Sequence, residues 1–585
     1  MSTSAKVLDQ NMQSAPAPSP GTKMKGAEIL EEALWREGVD IMFGYPGGAS
    51  MEIHQALTRK DRIRVVLPRH EQGGGFAAQG FARATGKVGV ALATSGPGAT
   101  NLATPIADAK LDSIPMVAIT GQVPTTVIGR DAFQECDVVG FSRTLTKHNY
   151  MVTDINDLAR VVKEAFHIAR TGRPGPVLID IPKNVQQSYA IPNFNEPMDI
   201  PGYKPTSEPN PAQIRAAAQA IMESERPVLY IGGGCIHSDA SEVLIKLAEK
   251  CDIPAVSTIM GIGAFPARHP LFFDMLGMHG AVYANYAVSR ADLLIAAGVR
   301  FDDRVTGKVS EFARHGKIIH IDVDASEINK NKPVQIPIVA DARLALDAIL
   351  AQVKPAQHRA WVADIEAEKK KLPFRYDTNA SEILPQYVLD ELNNLIEGKN
   401  VIVTMGVGQH QMWAAQWLRM HQPRTFMSSS GLGSMGFGYP SALGAKLARP
   451  DYEVIDVDGD GSFIMNIQEL ATAYAENIAV KALILNNRHL GMVVQWEDRF
   501  YESKRAQTFI GDPRNPEKDY PDFAGIAKAC NIPGRHVTRK TDVRAALEEM
   551  LAAKTPYVLD VSVMYTEHVL PMIPAGKTFA DTIYE

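Results

Sequence analysis

Cysteine is scarce in this chain and long apolar runs are absent, and each shortage excludes a class of protein. The four cysteines in 585 residues have neither the CxxC spacing of redox centres nor the spacing of zinc sites. They indicate reduced, packed thiols and not a disulfide framework. No uninterrupted apolar run reaches the roughly 18 residues that a transmembrane helix needs. We therefore expect neither a disulfide-rich nor a membrane-spanning protein.

Basic blocks and targeting features are also missing. The net charge is −6 at pH 7, and no basic stripe interrupts the chain. Nucleic acid is therefore not an expected partner. Residues 1–22 are rich in Ser, Ala, Pro and Gln, which predicts a disordered segment. They lack both the apolar core of a signal peptide and the arginines of a transit peptide, so we expect a cytoplasmic location.

Length and patterning predict three α/β domains in series, each a doubly wound parallel sheet. The chain is too long for one core, and short two-sided apolar runs alternate with helical patterns. Strands are expected within 39–47, 63–68, 87–94, 115–121, 175–182, 226–234, 253–259, 291–298, 317–324, 400–408, 453–461, 480–487 and 557–564. The expected segments are 1–22 disordered, 23–190 first domain, 191–211 linker, 212–350 central domain, 351–380 solvated connector, 381–565 third domain and 566–585 tail.

The most informative stretch lies in the third domain. Strand-like runs at Val454–Val457 and Val480–Leu485 flank a helical pattern over 463–476, which predicts a βαβ unit with two parallel strand ends side by side. One strand ends in Gly459–Ser462 and the other in Asn486–Asn487. Carboxylate and amide oxygens suit Mg²⁺, and glycines at a helix start suit a diphosphate. This GDG…NN spacing resembles the signature of thiamine diphosphate enzymes.

Glu71 follows a predicted strand and precedes three glycines that open the next helix. One interpretation is a first-turn carboxylate favoured by the helix dipole. The other is a catalytic carboxylate that hydrogen-bonds N1′ of thiamine diphosphate, so that the cofactor's amino group can remove the C2 proton. The GDG…NN unit elsewhere in the chain favours the second.

Other glycine-rich elements allow a nucleotide site. Gly431, Gly433 and Gly436 fit the dinucleotide pattern GxGxxG, but Pro440 disturbs the helix start that a nicotinamide site requires. Gly232–Gly234 and Gly298–Arg304 end predicted strands in the central domain, where open α/β sheets bind nucleotides. Glycines that only close tight turns remain an alternative there.

Motifs in every domain carry a closer resemblance. They are RHEQGGGFAAQGFARATG, GYPGGA, TSGPGATN, GQVPT, AFQE, LGMHG, RFDDRVTG, GLGSMGFG and GMVVQW. Taken in chain order, they resemble the large catalytic subunits of the acetolactate (acetohydroxyacid) synthase family and cover nearly everything from Lys25 to Pro574. The resemblance implies a first domain that binds the thiamine diphosphate pyrimidine, a central FAD domain and a third domain that binds the pyrophosphate and Mg²⁺.

The resemblance also implies roles for residues. Glu71 would activate the cofactor beside Gly48 and Gln134, and Asp460, Asn487 and the His489 carbonyl would bind Mg²⁺. Positions that match the thiamine diphosphate site are Glu71, Val407, Gly408, Gln409, His410, Gly433, Met435, Gly459, Asp460, Gly461, Ser462, Asn487, His489, Gly491 and Met492. Those that match the FAD site are Arg173, Gly232, Gly233, Gly234, Thr258, Leu276, Gly277, Met278, His279, Gly298, Arg300, Asp302, Arg304, Asp322 and Asp341.

The implied reaction decarboxylates pyruvate and ligates the two-carbon unit to a second 2-keto acid, in the first common step of valine, leucine and isoleucine biosynthesis. Arg304 would hold the acceptor carboxylate and Trp496 would form a wall favouring 2-ketobutyrate, with Lys183 and Phe133 also at the substrate. Family members act as homodimers or homotetramers, often with a small regulatory subunit, and the tail would close the site as a lid.

Rival interpretations are other flavin-containing thiamine diphosphate enzymes: pyruvate oxidase, oxalyl-CoA decarboxylase and glyoxylate carboligase. The last lacks a carboxylate at the position of Glu71. Catabolic acetolactate synthases bind no flavin, whereas RFDDR and LGMHG favour the flavin-binding type. A non-catalytic nucleotide-binding scaffold is disfavoured by Glu71, Asp460 and Asn487 occurring together.

Overall fold

A computed structural model describes residues 21–516 and 518–585, and the first twenty residues of the predicted disordered segment lie outside these ranges. Three sheets of six parallel strands, flanked by helices, confirm the predicted fold class. Within these ranges no helix is both long and apolar enough to cross a bilayer.

The first sheet has the strand order β3-β2-β4-β5-β7-β6, and a two-stranded antiparallel ribbon pairs β1 with β8. The strands are β1 Met24–Lys25, β2 Ile41–Gly44, β3 Arg64–Val66, β4 Gly89–Ala93, β5 Met116–Gln122, β6 His148–Met151, β7 Pro176–Pro182 and β8 Tyr189–Ala190. The helices are α1 Gly26–Arg36, α2 Met51–Lys60, α3 Glu71–Thr85, α4 Pro97–Asn101, α5 Ala103–Leu111, α6 Val138–Ser142, α7 Leu158–Arg170 and α8 Lys183–Gln187, with a 3₁₀ turn at Ile155–Asp157.

The second sheet has the order β11-β10-β9-β12-β13-β14. Its strands are β9 Pro227–Ile231, β10 Ala255–Ser257, β11 Phe272–Met275, β12 Leu293–Ala297, β13 Lys317–Asp322 and β14 Ile336–Val339. Its helices are α9 Pro211–Glu223, α10 Gly233–His237, α11 Ser241–Cys251, α12 Val282–Arg290, α13 Asp303–Thr306 and α14 Ala342–Gln352, with 3₁₀ turns at Ile259–Gly261 and Ala325–Glu327. The chain leaves the neighbouring strands β9 and β12 in opposite directions, which makes their carboxyl ends a topological switch point.

The connecting helix α15, Arg359–Lys371, departs from the prediction of a solvated connector. Trp361 and Ile365 are buried against the central domain, and Trp361 Nε1 donates to the carbonyl of Pro227 at 3.1 Å. One face of this charged helix is therefore part of the central core, because its two large apolar residues lie on the same side.

The third sheet has the order β16-β15-β17-β18-β20-β19. Its strands are β15 Val401–Met405, β16 Phe426–Ser428, β17 Glu453–Gly459, β18 Lys481–Asn486, β19 Gly534–Val537 and β20 Tyr557–Ser562. Its helices are α16 Pro385–Ile396, α17 Gln409–Trp417, α18 Gly438–Ala448, α19 Asp460–Phe463, α20 Glu469–Ala475, α21 Gly491–Phe500, α22 Phe523–Ala529 and α23 Val543–Ala552. Short 3₁₀ turns lie at Ile464–Asn466, Lys540–Asp542 and Phe579–Asp581.

The predicted βαβ unit is confirmed, since β17 and β18 pair in parallel. The helical segment expected over 463–476 is present but interrupted: α19 ends at Phe463, a 3₁₀ turn follows, and α20 starts at Glu469. Ser462 Oγ accepts from the Gly436 amide at 2.9 Å, and Asn466 Nδ2 donates to the Gly436 carbonyl at 2.7 Å. The interrupted helix thereby holds Gly436 of a neighbouring loop through both the amide and the carbonyl group of that glycine.

The first and third domains meet at a close crossing of α3 and α18. A Cβ at Gly80 would lie 1.9 Å from the Ser441 carbonyl oxygen, and one at Gly444 would lie 1.8 Å from that of Ala77. Only glycine allows the two backbones to approach this closely. At the start of α3, the Glu469 carboxylate accepts the amides of Arg69 and His70, next to Glu71.

Candidate active site

A cavity of about 110 Å³ opens at the carboxyl ends of β15, β17 and β18. Thirteen of the fifteen positions predicted for thiamine diphosphate lie on its wall: Val407, Gly408, Gln409, His410, Met435, Gly459, Asp460, Gly461, Ser462, Asn487, His489, Gly491 and Met492. Trp413, Leu485, Leu490 and Val493 complete the lining. None of these four was predicted as a site residue, although Val493 lies in the GMVVQW motif, because apolar side chains of this kind are ordinarily core residues.

Asp460 is the first residue of α19 and is buried. Its Oδ2 atom has no hydrogen-bond partner in the part of the chain that the structure describes. Burial raises the pKa of this carboxyl to about 8. An unpaired buried carboxylate is unfavourable unless a cation accompanies it, so Asp460 fits a cation ligand.

The turn after β18 places two further oxygen donors beside Asp460. Asn487 Oδ1 accepts from the His489 amide at 2.9 Å, and Arg488 between them has a left-handed φ of 57°. The His489 ring stacks on Tyr565 with centroids 4.3 Å apart, which fixes the turn. The described residues contain no group of three His, Cys, Asp or Glu side chains suited to a metal. A cation here would instead depend on mixed carboxylate, amide and carbonyl oxygens, which suits Mg²⁺.

Two helix N-termini on the same cavity suit an anion. Helices α17 and α21 begin at Gln409 and Gly491, so two helix N-termini face the cavity. Their free amides and dipoles favour negative charge. His410 Nε2 lies 3.0 Å from Asp458 Oδ1. Together with the Asp460 side, this arrangement fits a diphosphate bridged to a divalent cation.

The remaining two thiamine diphosphate positions lie elsewhere. Gly433 has φ 77°, and a Cβ there would lie 3.9 Å from Val407 Cγ1, just behind the cavity wall. Glu71 is the first residue of α3, and its Oε2 accepts from Asn101 Nδ2 at 2.9 Å. Within one chain, Glu71 is not on the wall that Asp460 lines.

Glu71 and the predicted catalytic residue Gln134 both approach the Gly96–Gly98 turn of the first domain. A Cβ at Gly98 would lie 3.2 Å from Glu71 Oε1, and one at Gly96 would lie 2.7 Å from the carbonyl oxygen of Gln134. Gln134 itself has a left-handed φ of 61°, a strained conformation that is common at functional sites. Gly48 follows β2 and has open space around it. Glu71 and Gln134 therefore lie near one another at this edge of the first domain.

A second cavity, of about 410 Å³, lies at the switch point between β9 and β12. Its wall includes the predicted FAD positions Arg173, Gly233, Gly234, Thr258, Gly298, Arg300, Asp302, Arg304, Asp322 and Asp341. A Cβ at Gly234 would lie 2.6 Å from Gly298 Cα, so both strand ends need glycine. Burial raises the pKa of Asp322 to about 7. The cavity has the size and position expected for a dinucleotide.

Five predicted FAD positions are not on this wall: Gly232, Leu276, Gly277, Met278 and His279. The Met278 sulfur lies 3.6 Å from Arg304 Nη1, and the Met278 carbonyl accepts the Ile573 amide of the tail at 2.8 Å. His279 is buried, and burial lowers its pKa to about 4. The LGMHG segment thus lies between the central domain and the tail.

The predicted substrate residues are spread over three domains. Phe133 has 88% of its surface exposed and Lys183 begins α8, both on the first domain. Arg304 lies on the second cavity, and Trp496 lies on α21 with its ring 4.9 Å from that of Phe500.

The fold and both cavities define a thiamine diphosphate enzyme. Three family models match in order: thiamine pyrophosphate enzyme N-terminal TPP binding domain at 24–141, central domain at 214–349 and C-terminal TPP binding domain at 406–561. A chloroplastic acetolactate synthase of Brassica napus is 54% identical over 97% of this chain and 88% of its own length. Chloroplastic acetolactate synthases of Nicotiana tabacum and Arabidopsis thaliana are 54% and 53% identical over 97% of this chain and 86% and 85% of their own lengths. The chain belongs to the acetolactate synthase family of thiamine diphosphate enzymes.

Proposed function

We propose that this protein decarboxylates pyruvate and ligates the two-carbon unit to a second 2-keto acid. Pyruvate as acceptor gives 2-acetolactate, and 2-ketobutyrate gives 2-aceto-2-hydroxybutyrate, the first common step towards valine, leucine and isoleucine. The observation that carries the proposal is the buried carboxylate of Asp460, whose Oδ2 has no hydrogen-bond partner among the described residues, beside Asn487 in a cavity that two helix N-termini line. The family match supplies the reaction class.

Thiamine diphosphate, when bound, supplies the electron sink that lets CO₂ leave pyruvate. Asp460, Asn487 and the His489 carbonyl would hold Mg²⁺, and the start of α17 would hold the diphosphate. Glu71 would share a proton with N1′ of the pyrimidine, because a carboxylate there favours the tautomer that removes the C2 proton. Apolar side chains on the cavity wall, among them Met435 and Leu490, would exclude water. A water-poor site favours ligation of the two-carbon unit to the second 2-keto acid over its protonation.

FAD is proposed for the larger cavity. Arg173 forms ion pairs with Glu327 at 2.6 Å and Asp324 at 3.3 Å, which orders the end of the cavity that faces the first domain. The paired glycine backbones at Gly234 and Gly298 leave room for a ligand against the strand ends. By family analogy this flavin does no net redox work.

A homodimer is proposed as the smallest active unit. Glu71 lies outside the cavity of its own chain, so a second chain would supply it. Large apolar side chains are exposed near both halves: Met51 and Phe133 on the first domain, and Leu432, Met465 and Val493 on the third. Apolar groups at such positions are typical of surfaces buried on association. A homotetramer, a small regulatory subunit and a cytoplasmic location remain predictions from the sequence, as do the domain boundaries.

The substrate residues would then meet at the joined surfaces. Arg304 would bind the acceptor carboxylate through its guanidinium fork, and Trp496 would contact the acceptor side chain. Phe133 and Lys183 of the first domain would close the other side. Phe133, at 88% exposure, is the clearest sign that this half is incomplete in one chain.

The test measures acetolactate formed from pyruvate with thiamine diphosphate, Mg²⁺ and FAD present, and with each withheld in turn. We expect product only when thiamine diphosphate and Mg²⁺ are both present. Oxygen uptake and flavin bleaching with pyruvate would instead indicate a pyruvate oxidase. Acetolactate at full rate from protein that binds no flavin would indicate the catabolic type.

A further inference from the structure

A buried ionic cluster joins the two cavities. Arg83 of α3 lies 2.8 Å from Asp112 and 3.6 Å from Asp108, and all three side chains are less than 9% exposed. Two carboxylates thus share one guanidinium, and burial together with Asp112 raises the pKa of Asp108 to about 6. Charges this deep are costly unless they are paired and their remaining polar atoms are hydrogen-bonded. We call these three residues the Arg83 cluster.

The cluster holds a loop of the third domain, residues 429–437, here called the Met435 loop. Asp112 accepts the amides of Ser430 at 3.0 Å and Gly431 at 2.7 Å. Asp108 accepts the hydroxyls of Ser429 and Ser434, the latter at 3.1 Å. The guanidinium of Arg83 lies 5.0 Å from the Phe437 ring centroid. Both ends of the loop are therefore fixed by the first domain.

One side of the cluster belongs to the larger cavity. Asp112, Ser113 and Ser430 lie on that cavity's wall. Ser113 has a left-handed φ of 59°, and its hydroxyl accepts from Arg173 Nε at 2.9 Å. Arg83 Nη1 lies 3.8 Å from the sulfur of Met260, which lines the same cavity. A ligand there would press directly on the turn that carries Asp112.

The other side of the loop belongs to the smaller cavity. Met435 lies on its wall, and the Gly436 amide donates to Ser462 Oγ on the same wall. The Ser434 amide donates to Ser429 Oγ at 2.7 Å, which closes the loop on itself. A shift at Ser430 would therefore reach Met435 through four residues of closed loop.

We propose that Arg83, Asp108 and Asp112 are positioning residues that couple the two cavities: a dinucleotide in the larger cavity fixes the Asp112 turn and the Met435 loop, and so raises the affinity of the smaller cavity for Mg²⁺–thiamine diphosphate. This inference rests on the proposed function. It gives the flavin a role that requires no redox chemistry, because its binding energy would order the site that performs ligation.

The test is a double titration of the whole protein. Thiamine diphosphate affinity is measured by calorimetry at saturating Mg²⁺, with and without FAD, and FAD affinity is measured with and without thiamine diphosphate. In the natural protein we expect FAD to tighten thiamine diphosphate binding about tenfold, with the same factor in the reciprocal titration. In Asp112→Asn, which keeps the shape and removes the charge, we expect the factor to fall below about twofold.

Asp180→Asn is the matched control. Asp180 is also a buried carboxyl of the first domain, bonded to Thr120 and Gln122 and not to the Met435 loop. It should leave the coupling factor unchanged. Ser434→Ala removes one hydroxyl contact with Asp108 and provides a milder variant if Asp112→Asn does not fold; its factor should lie between those of Asp112→Asn and the natural protein.

The outcomes separate this inference from the proposed function. If the natural protein binds neither cofactor and forms no acetolactate, the proposed function fails. If both bind and product forms, but the coupling factor is near one, or is unchanged in the folded cluster variants, the coupling role alone is overturned. A fall in the factor for Asp180→Asn as large as for Asp112→Asn would likewise overturn it, since a general loss of packing would then explain both.

Discussion

Gln409 Nε2 donates to Gln495 Oε1 at 3.0 Å, and both glutamines bond to the main chain of the C-terminal tail. Gln409 Nε2 also donates to the Glu567 carbonyl at 2.9 Å, and Gln495 exchanges bonds of 2.8 and 3.2 Å with Val569. Further along, the Ile573 amide bonds to Met278. The tail therefore ties a wall of the smaller cavity to the central domain.

Removal of residues 570–585 should lower the rate of acetolactate formation at least about tenfold and weaken thiamine diphosphate binding. It deletes Met572, whose side chain is fully buried, and uncovers Gln495. Loss of that side chain alone should reduce the free energy of unfolding by about 2–5 kcal/mol. Removal of 578–585 spares Met572 and Ile573 and serves as the control. It should lower the rate and the free energy of unfolding by less than the longer truncation does. A full rate in the longer truncation would show that the tail is only a passive cover.

The strands that the sequence does not predict are nearly all at sheet edges. Apolar runs predict the interior strands and β3, but not β6, β11, β14, β16 or β19. Edge strands here are three or four residues long and carry residues that weaken the signal, such as Pro337 in β14 and His148 in β6. An edge strand needs one apolar face at most, so a two-sided apolar pattern does not reveal it.

In the candidate site, too, some residues can be predicted from the sequence and others cannot. Residues at the ends of neighbouring parallel strands, such as Asp460 after β17 and Asn487 after β18, could be predicted because a βαβ unit brings those ends together. Trp413 could not, since a helical tryptophan is ordinarily a core residue, and nothing local distinguishes one that borders a cavity. The contacts of Asp108 and Asp112 with the Met435 loop could not be predicted from the sequence either, because more than three hundred residues separate the partners.

Mixed dimers should show whether the two halves of the site come from different chains. Glu71→Gln and Asp460→Asn should each lower activity at least about a hundredfold when pure. Co-folded in equal amounts, they should regain about one quarter of the natural rate, because half of the dimers are mixed and each has one intact site. The measurement is the rate of acetolactate formation per total subunit. If each chain supplied both residues to its own site, the mixture would stay inactive.

Trp496→Leu should lower the preference for 2-ketobutyrate over pyruvate as acceptor. The lost contact with one extra methylene corresponds to about 1–3 kcal/mol. The product ratio in a competition assay measures this directly. Phe500→Leu is the matched control, because Phe500 supports the Trp496 ring from the next helical turn; it should shift the ratio in the same direction by less. An unchanged ratio in Trp496→Leu would remove this residue from the acceptor site.

His536 should stabilise the third domain more at acidic than at alkaline pH. Its Nδ1 lies 2.7 Å from Asp560 Oδ2, while Asp560 Oδ1 accepts from Asn486, the neighbour of Asn487. The hydrogen bond to Asp560, with Asp519 also near, raises the pKa of His536 above its usual value of 6.5. The charged form is therefore favoured on folding; its stabilisation is fully present below pH 6.5 and is lost as pH rises through the raised pKa.

His536→Gln should then reduce the free energy of unfolding by about 1–3 kcal/mol at about pH 5.5 and by clearly less at about pH 8.5, measured by urea denaturation. Asp519→Asn should remove part of this difference, since Asp560 would remain as partner. Equal losses at both pH values would show that His536 acts through packing and not through its charge.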